Sequence, residues 1–274
     1  MSNIRAINYI DQATGLPFGL TNISGRPWMS NVDLTREIVL GTIAGSGDFQ
    51  FFGTNPAVGL GSYETLWNAG GLYYYLPSPQ ILKISSTSSN DTSVGGSGAR
   101  RLQVNGLAGT GWLYTTENVD LTGTTAASTT NEFIRVWEAL VIHTGSNNTN
   151  EGTIYIRDNA NTNTVAQINI NEGVSSQAVW SVPGNASGYL EVQTVAVASG
   201  KVAEGRIMLK YNILALYGLN PMRWIGDKFP IDSSVGQRLF IPPLNLLPRT
   251  DFEVRAVASA ANTSISSYAS FWYL

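Results

Sequence analysis

From residue 77 to Leu274 the chain is a series of short apolar runs cut by Ser, Thr, Asn, Gly and Pro, and that punctuation decides which folds are open to it. Gly and Pro both penalise helix interiors, and short runs bounded by turn residues read as strands. In residues 100–104, Leu102 and Val104 share one face while Arg101 and Gln103 share the other; Val119-Asp120-Leu121 alternates likewise before Gly123. FIRVWEALVI, residues 133–142, reads as a strand buried on most of both faces, with a short helix as the alternative. Residues 153–157 and 165–170 read as a hairpin across the Asx-rich turn DNANTN, 158–163. Residues 178–182, stopped by Pro183-Gly184, then 190–198 and 207–216, are further strand candidates. Residues 251–257 alternate most regularly, with Phe252, Val254 and Ala256 on one side and Asp251, Glu253 and Arg255 on the other. The closing segment 268–274 carries Phe271 and Trp272 and is expected inside a sheet. Many short strands with regular turns and no long helix define an all-β, antiparallel β-sandwich.

Three segments stand apart from this rhythm. GSYETLWNAGGLYYYL, residues 61–76, concentrates aromatic area around Gly70-Gly71, a pair that bends the chain without steric cost. It reads either as a core strand entering the sandwich or as a seam between subunits. Residues 1–60 are broken by Gly and Pro and show little periodicity, apart from a turn of helix expected within 30–39. Since long structureless segments are uncommon inside compact domains, they are expected to form an extended N-terminal arm, with residues 61–274 forming the sandwich; irregular first strands are the competing reading. SSTSSNDTSVGGSG, 85–98, is a surface loop, and the proline-punctuated segment 218–248 is expected to lie as an ordered loop across a surface.

Composition narrows the function. Charged residues make up 13% of the chain, the net charge is −3, and Lys and Arg are scattered, so the dense positive charge that releases phosphate counterions is missing and no nucleic-acid partner is expected. No apolar run reaches the roughly 20 residues of a membrane span. The first residues lack a secretory signal, so synthesis in a host cytoplasm is expected. Cysteine is absent, which removes disulfides, thiolate metal sites and a Cys nucleophile. The single histidine, His143, follows an apolar strand with no G-x-S-x-G elbow in the chain, and it reads as an ordinary strand-end residue rather than a catalytic base. One His without Cys completes no ordinary zinc site. Glu64 and Glu138 have the most apolar neighbours among the acids, and each is expected to satisfy backbone donors or an arginine such as Arg135. The 158–163 run lacks the glycine and closing glutamate of a calcium loop and reads as a turn. Neither catalysis nor a metal nor a cofactor is expected.

The run GSYETLWNAGGLY at 61–73, SSNDTS at 88–93, GAR at 98–100, RTDFEVRA at 249–256 and ANTS at 261–264 together resemble structural proteins of tailed-phage virions, particularly aquatic ones. The similarity spans roughly residues 61–274. It implies a jelly-roll-like sandwich that decorates or cements a capsid, or belongs to the tail, and that commonly forms trimers. The expected partners are then further copies of the chain and a major capsid protein or other virion proteins, and the expected location is the virion. A tail or fibre protein binding host glycans, and a glycan-degrading enzyme, are the alternatives. The aromatic and aliphatic residues expected at interfaces are Ile4, Ile7, Tyr9, Trp28, Phe49, Phe51, Phe52, Tyr63, Trp67, Tyr73, Tyr74, Trp224 and Phe229.

Overall fold

The computed structural model describes residues 46–198, 200–212, 222–232 and 235–274, with the pairs 9–10 and 17–18 and the single positions 38, 40 and 43. The chain divides into two compact units, 1–48 and 49–274. In the first, β1 (Tyr9–Ile10) and β2 (Pro17–Phe18) form an antiparallel pair. The remaining strands in chain order are β3 (Gly47–Val58), β4 (Glu64–Thr65), β5 (Lys83–Ser86), β6 (Ala99–Ala108), β7 (Leu113–Asp120), β8 (Ala127–Ser128) and β9 (Phe133–Thr144). They continue with β10 (Ile154–Arg157), β11 (Thr164–Ile168), β12 (Val179–Ser181), β13 (Gly188–Val197), β14 (Val202–Tyr211), β15 (Arg223–Asp232), β16 (Val235–Leu246), β17 (Thr250–Ala258) and β18 (Thr263–Tyr273). No helix among the described residues is long and apolar enough to cross a membrane.

Eight of these strands build two facing sheets, ordered β16-β13-β18-β3 and β12-β17-β14-β15. Taken along the chain, β3, β13, β16 and β18 fall in one sheet and β12, β14, β15 and β17 in the other. That alternation is the double Greek key of a jelly roll. An aromatic spine joins the two layers: Phe51 of β3 lies 5.7 Å from Phe252 of β17 and 5.6 Å from Phe271 of β18, and Trp180 of β12 stacks on Phe271 at 4.5 Å. Rings at these separations add specific geometry to a large buried area.

Between β3 and β12 the chain inserts a second β layer pair, the sheets β11-β10-β5-β8 and β7-β6-β9. Ile84, Ile154, Ile156 and Ile168 from the first, and Leu102, Val104, Phe133 and Val136 from the second, are buried in one core continuous with the jelly roll. The hairpin expected across 158–163 is present as β10 and β11, Ile154 opposite Ile168. Residues 133–142 form strand β9, not a helix.

Two expectations change. Residues 47–58, placed in the arm from sequence, form β3, a sheet strand in which Phe51 and Val58 are buried. Apolar residues at alternate positions outweigh the breakers there: Gly53 is needed because a β-carbon would lie 2.1 Å from the Ala178 nitrogen. The segment 218–248, expected as a loop, supplies β15 and β16. Its prolines are compatible with this because both strands are sheet edges, where a missing N–H breaks no ladder. The helical turn expected within 30–39 lies outside the described residues but for Ile38.

Candidate interaction surface

Most of the large apolar side chains of the 61–76 stretch prove to be core, with Leu72 left exposed. Glu64 and Thr65 pair with Ala256 and Arg255 of β17, and the chain then reverses at Gly70 and Gly71, whose φ angles of 68° and 66° favour residues without a β-carbon. The reversal returns the Trp67 indole onto its own loop, where Nε1 donates to the Gly70 carbonyl at 2.8 Å. Trp67 and Tyr73 meet edge-on at 5.1 Å, and Tyr73 meets Tyr75 at 4.9 Å. Leu66, Trp67, Tyr73 and Leu76 are all buried within this chain, which leaves them little area to offer a neighbour. Glu64 holds the loop closed by accepting from the Gly59 and Gly71 amides and from Asn55 Nδ2. Burial works against its charge, but those donors prevail and hold the carboxyl below its ordinary range.

Beneath this loop lies a buried polar network that joins the insertion to the jelly roll. Arg135 on β9 donates through Nε and Nη2 to both oxygens of Asp251 on β17, at 2.7 and 2.8 Å. Asp251 also accepts from Ser181 Oγ at 2.6 Å and Asn212 Nδ2 at 2.7 Å. The remaining Arg135 nitrogen, Nη1, reaches the carbonyls of Leu76 and Ile134, and its guanidinium lies against the rings of Tyr75 and Trp112 at 5.0 and 4.5 Å. Burial would lower the Arg135 pKa; the Asp251 carboxylate outweighs it and holds the guanidinium above its ordinary value. Two residues along, Glu253 accepts from Thr65, from Tyr75 and from both Arg255 donors. Burial pushes the phenols of Tyr73 and Tyr75 well up. The polar side of β17, which alternation alone would give to solvent, is therefore interior.

Other acids are occupied in the same manner. Buried Asp91 accepts from Ser86 Oγ and from the amides of Ala99, Glu151 and Gly152, tying the loop after β5, 87–98, to loop 145–152; Ser85 and Ser86, expected in that loop, are buried in β5. Asp158 accepts from the amides and side chains of Thr162 and Asn163, the turn expected from its sequence. Glu138 accepts from Asn105, not from Arg135. His143 stands near the end of β9, exposed, opposite Arg101. Among the described residues no group of three His, Cys, Asp or Glu is placed to hold a metal ion.

One sheet face that the molecule presents outward is largely apolar and poor in charge. On the outer face of sheet β16-β13-β18-β3, Val235, Leu239 and Ile241 of β16 are 60%, 59% and 84% exposed, and Phe52 of β3 is 57% exposed. Between these two edges lie smaller or uncharged side chains, with Ala196 opposite both Val235 and Ser266, and Thr194 opposite both Gln237 and Tyr268. Glu191, at one end, accepts from Trp272 Nε1, and Trp272 stacks on Tyr189 at 3.9 Å. Of the residues expected at interfaces, Phe52 stands on this surface. Phe49 is half-buried against Trp137 and Trp180, Tyr63 lies under Arg206, and Tyr74 is half-buried against the core. Trp224 and Phe229 fall on β15 opposite Met208 and Gly205. Tyr9 is in β1, and Ile4, Ile7 and Trp28 lie outside the described residues. Sequence reading missed Val235, Leu239 and Ile241. Their odd-numbered spacing is the signal, hidden by the prolines that made the segment look like a loop.

No family model matches the chain, and no curated protein matches it. Solved structures do align with it, two of them as follows. The structure of infectious bursal disease virus Gt strain is 9% identical, covering 87% of this chain and 82% of that one with a TM-score of 0.18. The structure of infectious bursal disease virus Gx strain is 11% identical, covering 84% and 72% with a TM-score of 0.22. Likenesses of this size carry no argument about fold or function.

Proposed function

We propose that this chain is a structural protein of a virion, specifically a capsid decoration (cement) protein of a tailed phage that stabilises the shell through apolar contacts between subunits. The observation that supports it is a jelly roll with an apolar, charge-poor outer sheet face (Phe52, Val235, Leu239, Ile241). Jelly rolls serve viral shells, lectins and cupins alike, so function has to be argued from the surface and not from the fold. Contiguous exposed apolar area on a soluble protein marks an interaction site. The buried carboxylates Asp91, Asp251 and Glu253 each serve donors of their own chain, which favours a structural role for them over acid–base chemistry. On this reading the chain is not an enzyme, needs no cofactor, and has as partners its own copies and other virion proteins, with neither nucleic acid nor membrane.

Gold-labelled antibody against the chain, applied to purified particles, tests this. Label over the capsid surface is the expected result. Label confined to tails would move the chain to the tail, where a glycan-binding role becomes the better reading. Absence of the chain from purified particles would overturn the proposal.

A further inference from the structure

We propose that the outer face of sheet β16-β13-β18-β3 is a two-fold interface with a second copy of this chain. The inference deepens the reading of the protein as an assembly component and rests on it for its biological sense. Three observations single out a second copy as the occupant. The first is charge: along the outer side of the four strands the carboxylates are Asp48, exposed near the start of β3, and Glu191 of β13, which accepts from Trp272. A face so poor in charge meets its own image without like-charge repulsion, whereas a strongly charged partner would lose hydration there uncompensated.

The second is area. Four strands spaced about 4.8 Å apart and about ten residues long cover roughly 19 by 33 Å. That is on the order of 600 Å² per copy and about 1,200 Å² for the pair, the lower bound of specific stable interfaces. The third is the edge itself. β16 is the outermost strand and carries Pro242 and Pro243, which have no N–H to give an added strand. Those prolines interrupt strand addition along β16, which favours face-on contact as the way to cover the exposed Leu239 and Ile241. Large side chains at the two borders (Phe52 on β3, Leu239 and Ile241 on β16) flank a middle in which Ser266, Thr194 and Ala196 lie beside Tyr268. In an isologous pair each border can seat against the small residues Ser266, Thr194 and Ala196 of the other copy. Such pairing gives an even-numbered assembly, in place of the trimer that the resemblance implies.

The test is sedimentation equilibrium of the full chain, wild type against the double variant Leu239→Glu with Ile241→Lys, and against Leu113→Lys on the exposed strand β7 as control. The expected result is a concentration-dependent dimer for wild type and for Leu113→Lys, with dimer affinity reduced at least about 100-fold in the double variant, whose circular dichroism and melting temperature, compared at a dilution where both proteins are monomers, stay near wild type because both side chains face water in the single chain. A wild-type chain that stays monomeric up to about 100 µM would overturn the inference. So would a trimer, or a dimer that the double variant leaves intact. These outcomes are read without particles, so pairing can fail while gold labelling of virions still supports the structural role.

Discussion

Replacing Asp251 by alanine removes the acceptor of four side-chain bonds at once, two from Arg135 and one each from Ser181 and Asn212. Both members of the ion pair are interior, with side chains 4% and 0% exposed, so water cannot replace the lost carboxylate. The guanidinium keeps its bonds to the Leu76 and Ile134 carbonyls and its contact with two rings, yet its charge is left uncompensated. Removing one partner of a buried pair costs about 3–5 kcal/mol. For a chain of this size that corresponds to a fall in melting temperature of roughly 6–20 °C. Urea unfolding followed by Trp fluorescence measures it, since Trp112 lies against Arg135. Arg135→Met together with Asp251→Leu should recover much of the loss, because an apolar pair of similar volume avoids the desolvation of both ions. A cost below about 1 kcal/mol for Asp251→Ala, or a double variant no better than the single ones, would refute the idea that this pair holds insertion and jelly roll together.

Gly53→Ala should destabilise by about 1–3 kcal/mol in urea unfolding, as overpacking does, because the new methyl would sit 2.1 Å from the Ala178 nitrogen. Acid should weaken the 59–71 loop: Glu64 is held below its ordinary pKa, so its contribution is full above the unfolded value of about 4.3 and disappears as pH falls through the lower folded value. The stability gap between wild type and Glu64→Gln, measured by urea unfolding from pH 7 downward, should therefore close in that acid window. Deleting residues 1–60 removes β3 with Phe51 and should abolish cooperative unfolding by near-UV circular dichroism, whereas deleting 1–45 should preserve it. His143→Ala, at an exposed position near a strand end, should change stability by less than about 0.5 kcal/mol in the same urea assay.

The strands most legible in sequence were those whose alternation is local. β17, β9 and the β10–β11 hairpin fall where residues 251–257, 133–142 and 153–170 place them, and β18 lies inside a sheet as its Phe271 and Trp272 required. What alternation could not reveal is what covers the second face. Asp251 and Glu253 look solvent-facing because their partners are remote: Arg135 lies 116 positions from Asp251, and Thr65 lies 188 from Glu253. Aromatic density at 61–76 was visible, but whether a sister molecule or the same chain covers it depends on the turn at Gly70-Gly71 and on Val179, brought in from β12. The apolar outer face escaped notice because Pro242 and Pro243 signal a loop and an edge strand equally well.

β3 completes its sheet against β18, and Thr54 donates to Ser266, 212 positions further along. During synthesis the first strand of the jelly roll must therefore wait for the last one, with Phe51 unclothed for as long as the ribosome takes to write everything between them. At 5–20 residues per second that interval is on the order of 10–40 s. A message cut short anywhere before β18 would release a polypeptide with a sticky, unpaired strand at its front, which makes the insertion a timing element as well as an architectural one.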